Sequence, residues 1–150
     1  MTQRDPMEMV WWLASRASGV VALALIAIAV HGITLLGDSW LNPGPVGIAV
    51  PFAMEYRPLF TGLGIVAGYL AAILGLTFYM RRRIGTRRWR NAHRLTPIVY
   101  VLGVTHTLGA GTDAGEPWLI ALVLATGTPI LYLGVLRTCR IGINAVPGAS

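Results

Sequence analysis

The chain is 150 residues long, 55% hydrophobic and only 12% charged, against roughly 25% charged in an ordinary soluble domain. That balance excludes a soluble enzyme of this size and predicts an integral membrane protein. A net charge of +6 would suit a nucleic-acid binder, but all 12 basic residues are arginines whose positions follow membrane topology, so no nucleic-acid partner is expected. The single cysteine, Cys139, cannot close an intrachain disulfide.

Four uncharged stretches approach the roughly 20 apolar residues that a bilayer crossing needs: 17–36, 59–80, 95–112 and 117–136. The first is too long for the 7–15-residue core of a secretory signal, so it is read as a retained helix over about 9–36. Trp11 and Trp12 are expected at the inner headgroup level, with Arg16 snorkelling there. Residues 37–58 form an outer-side loop. Pro43, Pro45 and Pro51 remove backbone donors there, and Trp40, Val46, Phe52 and Met54 suit a segment lying on the membrane surface or capping the bundle. A second helix spans about 59–80, a basic loop 81–91, a third helix 92–112, and a fourth 117–137. The short turn 109–117 predicts an antiparallel pair of the last two helices. The expected fold is all-α: a polytopic membrane protein, one domain over 1–150, built as a four-helix transmembrane bundle.

Orientation follows from the arginines, because short cytoplasmic loops collect them. Seven lie between residues 81 and 94, which puts that loop inside. Four crossings then bring both termini to the cytoplasmic side, leaving Arg57 as the one outer arginine among twelve. Asp38, Glu55, Asp113 and Glu116 fall outside. Lipid binding or docking of a soluble donor would suit the arginine loop, although topology alone accounts for its charge.

Three histidines carry the candidate chemistry, since ionisable groups within spans mark function by default. His31 lies six residues before Gly37, and His106 six before Thr112, so both sit about 9 Å below the outer surface. Two imidazoles facing each other at one depth are what a six-coordinate haem b requires, one nitrogen on each face of the macrocycle. A pair of neutral histidines hydrogen-bonded between helices is the simpler alternative. Gly103, three residues before His106, is a candidate for clearance beside a ring plane. Arg57 is a candidate partner for a haem propionate, for Asp38 or for Glu55. His93 lies 13 residues before His106, about 20 Å lower, where it could serve a second haem or sit at the inner interface. Thirteen residues before His31 stands Ser18, which offers no imidazole. One haem site is therefore expected to be complete and the second incomplete. The spans hold no Asp or Glu, which argues against a proton pump or cation transporter.

The runs Tyr56-Arg57-Pro58-Leu59, Arg81-Arg82-Arg83-Ile84-Gly85, Trp89-Arg90-Asn91-Ala92-His93-Arg94-Leu95 and His106-Thr107-Leu108-Gly109-Ala110-Gly111-Thr112-Asp113 resemble bacterial members of the ferric reductase-like transmembrane domain family. The resemblance covers roughly positions 10–120. It implies a haem b protein of the bacterial cytoplasmic membrane in which two histidines on one helix pair with two on another. His93 and His106 match the later pair and His31 the outer member of the earlier one, while Ser18 stands where the inner histidine would be. The flanking helices and the flavin and nicotinamide domain of the family's reductases have no counterpart here. The resemblance thus points to an electron-transfer subunit rather than a self-sufficient reductase. Such a cytochrome b would relay electrons between a redox partner and an acceptor such as quinone, metal or an outer-side protein. The alternative is a non-catalytic accessory subunit of a larger respiratory or photosynthetic membrane complex, with or without haem.

Overall fold

A computed structural model of the chain describes the backbone of residues 6–144, and the side chains of 18–132 and 134–136. Trp11, Trp12, Arg16 and Cys139 therefore lie outside the described side chains. The described residues contain helices and no strands. Three helices are long and apolar enough to cross a membrane, over Ser18–Leu36, Pro58–Tyr79 and Pro117–Leu136. Their surfaces agree with that solvent. Leu23, Ile33 and Leu131 are each about two-thirds or more exposed (67%, 66% and 72%), and apolar faces of this extent are stable in lipid but not in water. Helices of this length and composition point to a membrane protein.

By internal contacts the chain divides into two compact units, Met1–Ala110 and Gly111–Ser150. The first opens with α1 (Pro6–Leu36). This helix stops where Asp38 turns its carboxylate back to accept from the backbone N–H groups of Trp40 and Leu41, at 2.9 and 3.1 Å, a turn that competes with helical pairing. The outer segment that follows is held rather than loose. A short α2 (Gly44–Ala49) starts beside Pro45 and ends at Val50, ahead of Pro51. It packs against α1, with Ile48 near Gly32, while Gly47 and Met54 are buried against each other. Tyr69 donates its hydroxyl hydrogen to the Ala49 carbonyl and ties this cap to the next helix.

That helix, α3 (Pro58–Tyr79), has Pro58 in its first turn, where the missing amide hydrogen has no helical partner to lose. It is the spine of the unit and packs against both α1 and α6 (Thr96–Ala110). At its far end Tyr79 donates to the Ser18 carbonyl of α1 at 2.8 Å. Two short helices follow, α4 (Arg81–Ile84) and α5 (Thr86–Ala92), separated by Gly85 at φ +91°, a conformation natural only to glycine. A 3₁₀ turn over His93–Leu95 then leads into α6.

The helix expected over 92–112 is thus regular only over the 15 residues of α6, about 22 Å. The reason lies in Pro97. Having no amide hydrogen, it cannot donate to the carbonyl four residues back, that of His93, which instead accepts from the Thr96 N–H in the tighter 3₁₀ pattern. The second unit, taken by itself, is a turn in which Glu116 bonds back to Asp113 at 2.9 Å, followed by α7 (Pro117–Asn144), again with proline in its first turn and with Pro129 inside it.

Candidate functional site

His31 is carried by α1 and His106 by α6, five and four residues from the ends of their helices. The structure brings these two side chains together: their ring centroids are 6.3 Å apart and their planes cross at 72°. The two helices share no extended interface of their own, and α3 packs on both, so the imidazoles meet beside this common spine.

The ring of His106 is fixed to that spine. Its Nδ1 lies 2.9 Å from the carbonyl oxygen of Phe60 in α3. A carbonyl can only accept, so the bond puts the proton on Nδ1 and leaves Nε2 with its lone pair. In a regular helix the Phe60 carbonyl also faces the N–H of residue 64, and residue 64 is glycine. A Cβ built there would clash with the Nδ1 edge of the His106 ring. Gly64 is therefore what lets the imidazole reach the backbone of α3.

Two more contacts hold α3 and α6 at this separation. A Cβ at Gly109 would clash with the Cδ1 edge of the Phe60 ring, so ring and backbone are in direct contact. The Arg57 guanidinium donates to the Gly109 carbonyl, at the end of α6, where helical carbonyls lack partners. Arg57 also lies 5.5 Å from the Tyr56 ring centroid. The anticipated pairing with Asp38 or Glu55 does not form: Arg57 reaches backbone instead, and Asp38 is committed to its own turn. Arg57 is exposed, so its bond to Gly109 contributes on the order of 1 kcal/mol. Arg57→Gln is expected to lower the thermal midpoint of the detergent-solubilised protein by a few degrees, and an unchanged midpoint would show the bond to be without weight.

Gly103 lies on α6 with nothing within 4 Å of a Cβ built on it, so no helix neighbour requires glycine there. His93 is not brought to the pair. Its ring packs against that of Trp89 with centroids 4.4 Å apart and planes inclined by 43°, and its Nδ1 lies 3.3 Å from the Trp89 carbonyl. Met54 is packed in the outer cap.

No family model matches the chain, and no solved structure matches it. What the site can hold is read from its own donors. Among the described residues no group of three or more His, Cys, Asp or Glu side chains could hold a bare metal ion. Two imidazoles suffice only for a metal that brings its remaining ligands with it. Their spacing suits that case: two metal–nitrogen bonds of about 2 Å, with roughly 1 Å from each nitrogen to its ring centre, place the ring centroids about 6 Å apart. The Nδ1 bond to a backbone carbonyl is the outer-shell contact that metal-ligating histidines characteristically make.

Proposed function

We propose that the protein is a membrane cytochrome b subunit of the bacterial cytoplasmic membrane. In this reading it has four spans, both termini on the cytoplasmic side, and one haem b held by His31 and His106 near the outer face. The observation that carries the reading is the imidazole pair itself, at metal-bridging separation, with one ring set in the tautomer that leaves Nε2 free to ligate. The resemblance of the His93 to Asp113 region to ferric reductase-like transmembrane domains supports the same assignment.

In a bound state the haem supplies one-electron exchange at its iron. The residues of this chain supply the rest. His106 is oriented by Phe60 and given room by Gly64, while His31 approaches from α1. Arg57, at the outer end of α3, is the candidate partner for a propionate and holds α6 in register. Because His93 is packed against Trp89 and Ser18 carries no imidazole, one haem is expected per chain. The helical path from His106 back to His93 is about 20 Å, so electrons exchanged at the outer face come from or go to a membrane redox partner or a quinone.

The test is a dithionite-reduced minus oxidised spectrum of the purified protein, with pyridine haemochrome quantification. About one haem b per chain is expected, lost in His31→Ala and in His106→Ala and retained in His93→Ala. Protein isolated intact with its native partners yet free of haem would defeat the reading. It would leave a structural subunit of a larger membrane complex, its two histidines serving helix contact.

A further inference from the structure

The arginines between residues 81 and 94 are arranged by the fold in a way that charge count alone does not require. Positive-inside orientation is satisfied by any distribution of basic residues in the loop, and by lysine as well as arginine. This loop contains seven arginines, no lysine and no carboxylate. Arg81 is committed to the end of α3: it donates to the Phe78 carbonyl at 3.0 Å, and its guanidinium carbon sits 4.1 Å from the Phe78 ring centroid.

The arginines beyond Gly85 are placed by an amphipathic helical path. Helical dihedrals continue from α5 through the 3₁₀ turn into α6. At about 100° per residue, and about 120° through the 3₁₀ turn, Arg87, Arg90 and Arg94 fall within an arc of roughly 80°, with Trp89 and Ala92 on the other side and His93 at the flank. Trp89, Ala92 and His93 are half-buried and Arg87, Arg90 and Arg94 are exposed, as are Arg82, Arg83 and Arg88 outside the row. The inward face is anchored on the spine, since the Trp89 ring lies 6.3 Å from Phe78 and 4.4 Å from His93. The outward face is a row of like charges three and four residues apart, an arrangement that destabilises an isolated helix. An anion laid along the row reverses that effect. Guanidinium is the group suited to it, because its planar fork grips phosphate oxygens with two hydrogen bonds where an ammonium acts as a point charge.

We propose that Arg87, Arg90 and Arg94 form a binding face for the phosphodiester headgroups of anionic phospholipids in the inner leaflet. The occupant follows from position and charge. On the topology proposed above, on which this inference rests, the row lies beside the inner end of α3 where the chain leaves the bilayer, and headgroup phosphate is the anion that is always present there.

The full-length protein in neutral detergent is titrated with phosphatidylglycerol, with phosphatidylcholine, with inorganic phosphate and with a polyglutamate peptide, reading the thermal midpoint and the binding of a fluorescent phosphatidylglycerol. Phosphatidylglycerol is expected to raise the midpoint and phosphatidylcholine to leave it unchanged. Replacing Arg87, Arg90 and Arg94 together by glutamine is expected to weaken phosphatidylglycerol binding on the order of a hundredfold. Replacing Arg82, Arg83 and Arg88, equal in charge, is expected to weaken it far less. Lysine at the three positions keeps the charge and the fold and is expected to recover only part of the affinity. Equal losses in the two glutamine triples would reduce the effect to net charge and overturn the assignment of a face. A response to inorganic phosphate equal to that of the lipid, or to polyglutamate alone, would overturn it in favour of a soluble anion or an acidic protein.

Discussion

If His31 and His106 hold the proposed haem, Gly64→Ala is expected to reduce haem content at least fivefold, close to the level of His106→Ala, while the helices remain formed. The added methyl group clashes with the His106 imidazole. Since that methyl is fixed to the backbone of α3, the ring must give way. Leaving the Phe60 carbonyl removes the bond that sets its tautomer and direction, and supporting contacts of this kind are worth 10–100-fold in metal affinity. Helix propensity pulls the other way, because alanine is favoured over glycine by about 1 kcal/mol within a helix. Helical content by circular dichroism should accordingly be kept or slightly raised while haem is lost. Gly103→Ala is the matched control. It meets nothing within 4 Å in the protein, so the fold tolerates it, and a fall in haem there would mark Gly103 as lying beside the macrocycle. Full haem content in Gly64→Ala would show that His106 is not held by α3 in the working protein.

Gly109→Ala is the substitution expected to cost the most stability, about 1–3 kcal/mol for overpacking a close contact. Its Cβ would clash with the Phe60 ring, which is half-buried between the helices. The strain falls on the joint that carries the Arg57 bond at one side and the His106 bond at the other. Gly62 offers a contrast on α3. A Cβ there would clash with the ring of Phe52, but Phe52 is 50% exposed on the outer segment and can swing away. Gly62→Ala should therefore be milder than Gly109→Ala by thermal unfolding in detergent. A second change, Phe60→Leu, shortens the obstructing side chain and should recover part of the loss in Gly109→Ala. If the double variant is as unstable as the sum of the two single ones, the clash with Phe60 is not the cause.

Much of this arrangement is legible in the sequence because hydropathy and depth are one-dimensional quantities. Uncharged runs mark the helices, and equal distances of His31 and His106 from the ends of their runs place both imidazoles at one level, where the structure has them in contact. Contact between helices is not one-dimensional. Gly64 looks like any of the small residues of its span, and only the arrival of His106 from 42 positions away distinguishes it. Arg57 is visible as an isolated charge, whereas its partner, a backbone carbonyl, has no signature in the identity of Gly109. At the third helix, hydropathy alone extends the regular segment too far. Pro97 is the weak point there, and the regular helix begins only at Thr96, beyond a 3₁₀ turn.

The two imidazoles are mounted unequally. His106 is fastened to the central helix through Phe60, on the face where α3 and α6 have their main contact. His31 rides on a helix that meets α3 where Val21 and Leu25 lie beside Gly75 and Ile28 beside Gly68, and through the Tyr79 bond to Ser18 and the outer cap that Tyr69 secures. Because α1 and α6 share no extended interface, the gap between the rings is set by how α1 sits on α3 rather than by the α3–α6 contact.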